Sequence, residues 1–258
     1  MNSRRLGLAA VFALLPTMIL SGGAFAGAAT ISANYANLDF YGAGFTANSW
    51  GGAGAGALDL GGSWKVEGDA AYDHLTTSGV NFNHWNVSGS AFWQGDMGRA
   101  GLQLGYNSGD GAGLSLHGLN YGVVGEWWAS SNITLAAKGG GLNGSSGVDG
   151  YYLGLQGKGY LGGNFALSAS ADYTSFKFGH ETDLTIQGEW LVSQTTPISV
   201  YGGYSNSDFP TGGPGDVNVW FVGLRLYCND PGGASLVDRQ RSGTLGWAGA
   251  ISPVALRF

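Results

Sequence analysis

The sequence has one cysteine, Cys228, in 258 residues. A lone thiol excludes an internal disulfide framework and any metal site built from several cysteines. Charge is scarce too, with Asp, Glu, Lys and Arg making up 11% of the chain. The few Lys and Arg do not cluster and the net charge is −6, so the basic stripe that a nucleic-acid surface needs is missing. Beyond position 26 no apolar run is long enough for a spanning helix. No later stretch repeats its apolar residues at the helical period either. His74, His84, His117 and His180 are dispersed and form no His-x-x-x-His or His-Glu-x-x-His pattern. Gly52-Ala-Gly-Ala-Gly56 lacks the lysine of a phosphate loop. No catalytic residue, cofactor or metal site is assigned, and an enzyme is not expected.

What the chain does have is glycine, 49 residues, and 21 Trp plus Tyr. Soluble domains average about 7% Gly. Glycine lowers strand propensity but permits sharp curvature and close strand approach. The aromatic content and a regular alternation exclude a disordered chain.

The alternation is plainest in Ser63-Trp-Lys-Val-Glu-Gly-Asp-Ala-Ala-Tyr-Asp73. Trp64, Val66, Gly68, Ala70 and Tyr72 share one face of a strand, and Lys65, Glu67, Asp69 and Asp73 share the other. Similar stretches recur to position 227, about twelve strands from Gly27 onward. A soluble sheet has no means of covering so many apolar faces, whereas lipid does. Tight turns such as Leu60-Gly-Gly-Ser63 and Leu161-Gly-Gly-Asn164 alternate with longer segments at His74–Gly79, Ser108–Ser115, Leu142–Gly147, Ser175–His180 and Ser207–Gly215. Short turns on one side and longer loops on the other are the habit of outer-membrane barrels. The expected fold is all-β: a transmembrane antiparallel up-and-down β-barrel of about twelve strands, each with a span of about 9–11 residues.

The ends are read separately. Residues 1–26 combine a basic start at Arg4 and Arg5, an apolar run from Leu6 to Leu20, and Ala24-Phe-Ala26, the small-x-small form of a signal-peptidase site with cleavage before Gly27. Removing that segment leaves 9 basic against 17 acidic side chains. Residues 27–228 form the barrel, and 229–258 a polar C-terminal tail, periplasmic or folded into the lumen. Val254, Leu256 and Phe258 alternate at the end of the chain, but Pro253 cannot donate to a ladder, so Trp220–Leu226 is the better closing strand.

On these features the chain resembles the porin-like outer-membrane β-barrel proteins of Gram-negative bacteria over Gly27–Cys228. The ending Val219-Trp-Phe-Val-Gly-Leu-Arg-Leu-Tyr227, followed by Gly-Gly-Ala-Ser-Leu-Val-Asp-Arg, is similar to that of small members of this group. The resemblance implies an outer-membrane location, contact with lipid and lipopolysaccharide, and assembly by the outer-membrane barrel insertion machinery.

The candidate site is the lumen. Twelve strands tilted near 40° give a perimeter of roughly 75 Å and a backbone diameter near 24 Å. Alternation sends Asp59, Lys65, Glu67, Asp69, Asp73, Arg99, Glu126, Lys138, Lys158, Asp172, Asp183, Glu189 and Arg225 inward, eight acids and five bases. Opposite charges facing each other across a passage would select small polar solutes, with weak cation preference, while paired charges would fill it. Trp50, Tyr72, Trp93, Tyr106, Trp127, Trp128, Tyr173, Trp190, Tyr204 and Tyr227 fall near strand ends, the place of an aromatic girdle. The expected function is a passive porin-like channel for small solutes or ions. A non-conducting structural or surface-interaction barrel is the alternative.

Overall fold

Period-two alternation becomes strand throughout the computed structural model, which describes residues 27–41, 44–77, 79–111, 114–145, 149–177, 179–193, 197–208, 215–228 and 235–245. Twelve strands follow one another: β1 (Gly27–Phe40), β2 (Phe45–Gly61), β3 (Trp64–Thr77), β4 (Val80–Gly95), β5 (Gly98–Gly111), β6 (Leu114–Ser130), β7 (Ile133–Gly144), β8 (Gly150–Leu161), β9 (Phe165–Phe176), β10 (Gly179–Leu191), β11 (Ile198–Asp208) and β12 (Val217–Cys228). Each pairs antiparallel with its sequence neighbours, and β12 pairs with β1, as in Ile31 with Leu226 and Phe40 with Val217. Closure leaves no edge, which is what a sheet in hydrocarbon requires. The segment expected to close the barrel, Trp220–Leu226, does so within β12. The signal segment with Ala24 and Ala26, and the Val254–Phe258 ending, lie outside the described residues. A short helix, α1 (Leu236–Ser242), follows the barrel.

The outer surface is apolar between two aromatic levels. Leu102, Leu155, Ile186 and Val222 are all more than half exposed. One level holds Trp64, Trp93, Trp127 and Trp190 near the short turns. The other holds Tyr35, Trp50, Tyr72, Trp85, Tyr106, Tyr151, Tyr173, Tyr204 and Trp220, with ring contacts such as Trp50–Tyr72 at 5.6 Å and Tyr204–Trp220 at 4.8 Å. Trp64 and Tyr72 are eight positions apart on β3, and Trp85 and Trp93 are eight apart on β4. At ~3.4 Å per residue and a tilt near 40° this separates the levels by about 20 Å along the barrel axis. That height fits a lipid-facing apolar band, and the fold is a transmembrane β-barrel.

Two expectations change. The strands run 11 to 17 residues, longer than the membrane span alone needs. Most of the segments read as long loops are ladder instead: β3 continues to Thr77, β5 to Gly111 and β9 to Phe176. Ladder hydrogen bonds are made by the backbone, so polar Ser, Thr, Asn and Gly residues extend the sheet beyond the apolar band. Secondly, Trp128 and Tyr227 do not belong to the girdle. Tyr227 is only 4% exposed and points inward with Arg225, two positions before it. Trp128 lies beside a register shift in the β6–β7 pair and turns towards the tail, with its ring 5.5 Å from the Arg241 guanidinium.

The hairpin between β2 and β3 shows why glycine is needed at the tight turns. Gly61 and Gly62 have φ of 101° and 63°, a region that L side chains avoid. Inside the barrel, at the end away from these short turns, Ala36, Leu38, Phe40, Ala47, Leu75, Val217 and Val219 form a buried apolar cluster, with Phe82 and Phe221 against it.

Candidate functional site

Alternation and register together decide what faces the lumen. Asp59 pairs across to Lys65, Glu67 to Ser90, Ser90 to Gln103, and the series continues around the wall through Lys138–Gly154–Asp172–Asp183–Ser207. All thirteen charges expected inside share this inner face. They are not arranged as opposing rows. Four of the five bases make ion pairs: Lys65 Nζ with Asp59 at 3.0 Å, Arg99 Nε with Glu126 at 2.9 Å, Lys138 Nζ with Asp172 at 3.0 Å, and Arg225 with Glu189 at 2.6 Å. The fifth, Lys158, donates to Gln240 Oε1 at 2.8 Å.

The acids beyond these pairs are served by hydroxyls and amides. Asp69 accepts from Ser88. Asp183 accepts from Thr185, Ser205 and Ser207 at 2.7–2.8 Å. Glu67 accepts from the backbone N–H of Leu245 at 2.6 Å. Asp73 fits because Gly51 stands opposite: a Cβ there would lie 2.1 Å from an Asp73 carboxylate oxygen. Nearer the apolar cluster, Asn86 donates to Asn107, and Asn107 to Asn120, a buried amide chain across β4, β5 and β6.

Between these layers lies a cavity of about 250 Å³, room for several waters. Its wall includes Asp69, Asp73, Asp172, Asp183, Lys158 and Arg225 together with several Ser and Thr side chains and Asn34. Its floor is the tail: Arg239, Gln240, Thr244 and Leu245.

The tail enters at the short-turn end. Ser235 caps α1, its hydroxyl accepting from the Asp238 N–H at 3.2 Å. Leu236 seats among Tyr160, Ala166, Leu191 and Tyr227, and Leu245 against Phe92 and Val124. At the C-terminal end of α1, the Arg99 guanidinium donates to the carbonyls of Gln240, Gly243 and Thr244 at 2.8–3.0 Å while its fork also grips Glu126. A cation fits there because terminal helix carbonyls lack intrahelical partners and carry the negative end of the dipole. Gln240 joins two wall groups, donating to Glu189 and to the Tyr227 hydroxyl at 3.1 Å each. Arg241 donates to the Ser130 and Ile133 carbonyls at 2.7 and 2.9 Å.

Tyr160, Tyr201, Tyr227 and the tail residues are thus lumenal groups that reading the sequence for charge passed over. For Tyr227 a signal was present, since it has the parity of Arg225. For Gln240 and Arg241 there was none, because their position depends on docking.

No protein-family model matches the chain, and no curated protein matches it in sequence. Solved structures do match in fold. An outer membrane channel from Pseudomonas putida F1 superposes with a TM-score of 0.59 at 8% identity, over 78% of this chain and 95% of that one. The KdgM porin superposes with a TM-score of 0.50 at 8% identity, over 76% of this chain and 98% of that one, and also in a form complexed with disordered oligogalacturonate. The chain has the fold of the porin-like outer-membrane β-barrels.

Proposed function

We propose that the chain is an outer-membrane channel of a Gram-negative bacterium that passes small polar solutes or ions through a narrow, charge-lined lumen. The observation that carries this reading is a cavity with room for several waters, bordered by charged and hydroxyl side chains, inside a lipid-facing barrel. A barrel whose only task is structural gains nothing from turning thirteen charges inward and burying five of them, Glu67, Asp69, Arg99, Asp183 and Glu189, because desolvating ions costs more than apolar packing of the same volume. The two fold neighbours, an outer membrane channel and a porin, agree with this role. Eight inward acids against five bases favour neutral or cationic solutes over an anionic one such as the oligogalacturonate bound to the KdgM porin. On this reading the apolar band and its aromatic levels contact lipid and lipopolysaccharide, and the barrel insertion machinery assembles the chain.

Swelling of proteoliposomes in isotonic solutes of graded size tests the proposal. Small neutral and cationic solutes are expected to enter faster than anions of equal size. Entry no faster than into protein-free vesicles would refute the reading. A non-conducting envelope barrel is the second reading, favoured by the buried apolar cluster that packs the far end of the lumen; it predicts no swelling with any solute.

A further inference from the structure

The wall of the barrel closes without the tail. All twelve strand pairs, including β1 with β12, are made between Gly27 and Cys228. Segment 235–245 adds no rung to this ladder, yet it occupies the lumen at the short-turn end. Apart from the apolar anchors Leu236 and Leu245 and one backbone bond, from the Leu236 N–H to the Gly163 carbonyl at 2.7 Å, it is held mainly by hydrogen bonds that involve side chains. The densest of these contacts is Arg99 on three tail carbonyls, those of Gln240, Gly243 and Thr244.

The same segment changes the charge that the lumen presents. Its Leu245 N–H occupies Glu67, and its Gln240 amide occupies Glu189. It also brings Arg239 to the cavity floor. With the segment absent, Glu67 and Glu189 would lose these partners, Arg99 and Lys158 would lose their tail partners, and Arg239 would leave the floor, so the wall's excess of eight acids over five bases would face water.

Resting on the channel reading above, we infer that residues 235–245 are a displaceable plug, latched by Arg99. When seated they close the short-turn end, and when displaced they uncover Glu67 and Glu189, so that the open lumen selects cations. The plug couples conduction and selectivity, because one movement opens the short-turn end and exposes the acids, leaving the apolar cluster at the far end as the remaining constriction.

Thr30 on β1 and Thr244 on the tail bring their hydroxyls within 3.4 Å, close enough for a disulfide after a small rotamer change. The test uses the full chain carrying Thr30→Cys, Thr244→Cys and Cys228→Ser, the last to prevent mispairing. Heat-modifiable gel mobility confirms the folded barrel, and thiol counting confirms the bond. In planar bilayers the oxidised protein is expected to carry at least tenfold less mean current than the same protein after dithiothreitol. The reduced channel's reversal potential in a KCl gradient is expected to be cation-selective, and Glu67→Gln should lower that selectivity. Full-chain Arg99→Gln, without any added cysteine, is expected to raise open probability and is the second arm should the disulfide fail to form. Equal currents before and after reduction, or an unchanged open probability in Arg99→Gln, would overturn the plug while leaving the channel reading intact. An open channel without cation preference would overturn the selectivity half. Silence from the reduced protein, Arg99→Gln and the Cys228→Ser parent alike would overturn the channel reading itself.

Discussion

Arg99→Gln separates the latch from the wall. Arg99 holds the carbonyls of Gln240, Gly243 and Thr244 and pairs with Glu126. Each lost bond to a carbonyl removes about 1 kcal/mol net, so three remove about 3 kcal/mol from the seated state of the tail. That is roughly a hundredfold rise in the fraction of time the segment is unseated. The barrel is expected to stay folded, because its ladder does not involve the tail. Amide hydrogen exchange in lipid nanodiscs reads both quantities at once. The Leu245 N–H, seated on Glu67, and the Gly243 N–H, bonded to the Arg239 carbonyl, should exchange roughly a hundredfold faster, with strand amides unchanged. Glu126→Gln, which leaves the tail bonds of Arg99 in place, should accelerate them less than about tenfold. A change below about threefold in Arg99→Gln would refute the assignment of Arg99 as the latch.

Other substitutions test other layers of the structure. Leu155→Lys places a cation in the middle of the lipid-facing band and should cost about 2–4 kcal/mol in urea unfolding from vesicles. A cost under about 0.5 kcal/mol would place that face elsewhere than in hydrocarbon. Gly51→Ala sets a Cβ against the Asp73 carboxylate and the Tyr72 carbonyl and should destabilise by about 1–3 kcal/mol. Gly68→Ala, with open space around it, should be within about 0.5 kcal/mol of the parent; equal effects at the two sites would contradict the inner-face assignment. Tyr227→Phe removes the 2.7 Å donor to Glu189 and the acceptor for Gln240 and should cost about 1–2 kcal/mol by the same unfolding assay. No loss would show that Tyr227 faces lipid after all.

The wall was legible in the sequence because its determinant is local. A period of two assigns each side chain a face, and the apolar set from Trp64 to Tyr72 against the charged set from Lys65 to Asp73 has one arrangement compatible with lipid outside. The strand count and closing strand followed from the same alternation. Strand length was less legible. Above the aromatic level the alternation gives way to stretches that are polar at successive positions, so Thr76 and Thr77, or Ser108 to Asp110, read as loop although the backbone ladder continues through them. Trp128 and Tyr227 were misplaced for another reason: nearness to a strand end was weighed above parity, and at Tyr227 parity decides. The tail was legible only as a polar segment in one of two places. A seven-residue helix has too little periodicity to show a face. Its seat is set by partners such as Arg99 and Glu67, more than 140 positions away in the chain.

The measurement closest to the central claim is single-channel recording from the refolded chain in a planar bilayer, wild type beside Arg99→Gln, with heat-modifiable mobility establishing that both are folded. The account predicts intermittent discrete steps in the wild type and sustained, cation-selective steps in the variant. Baselines without steps from both folded proteins, over the full voltage range, would contradict it and leave a non-conducting envelope barrel.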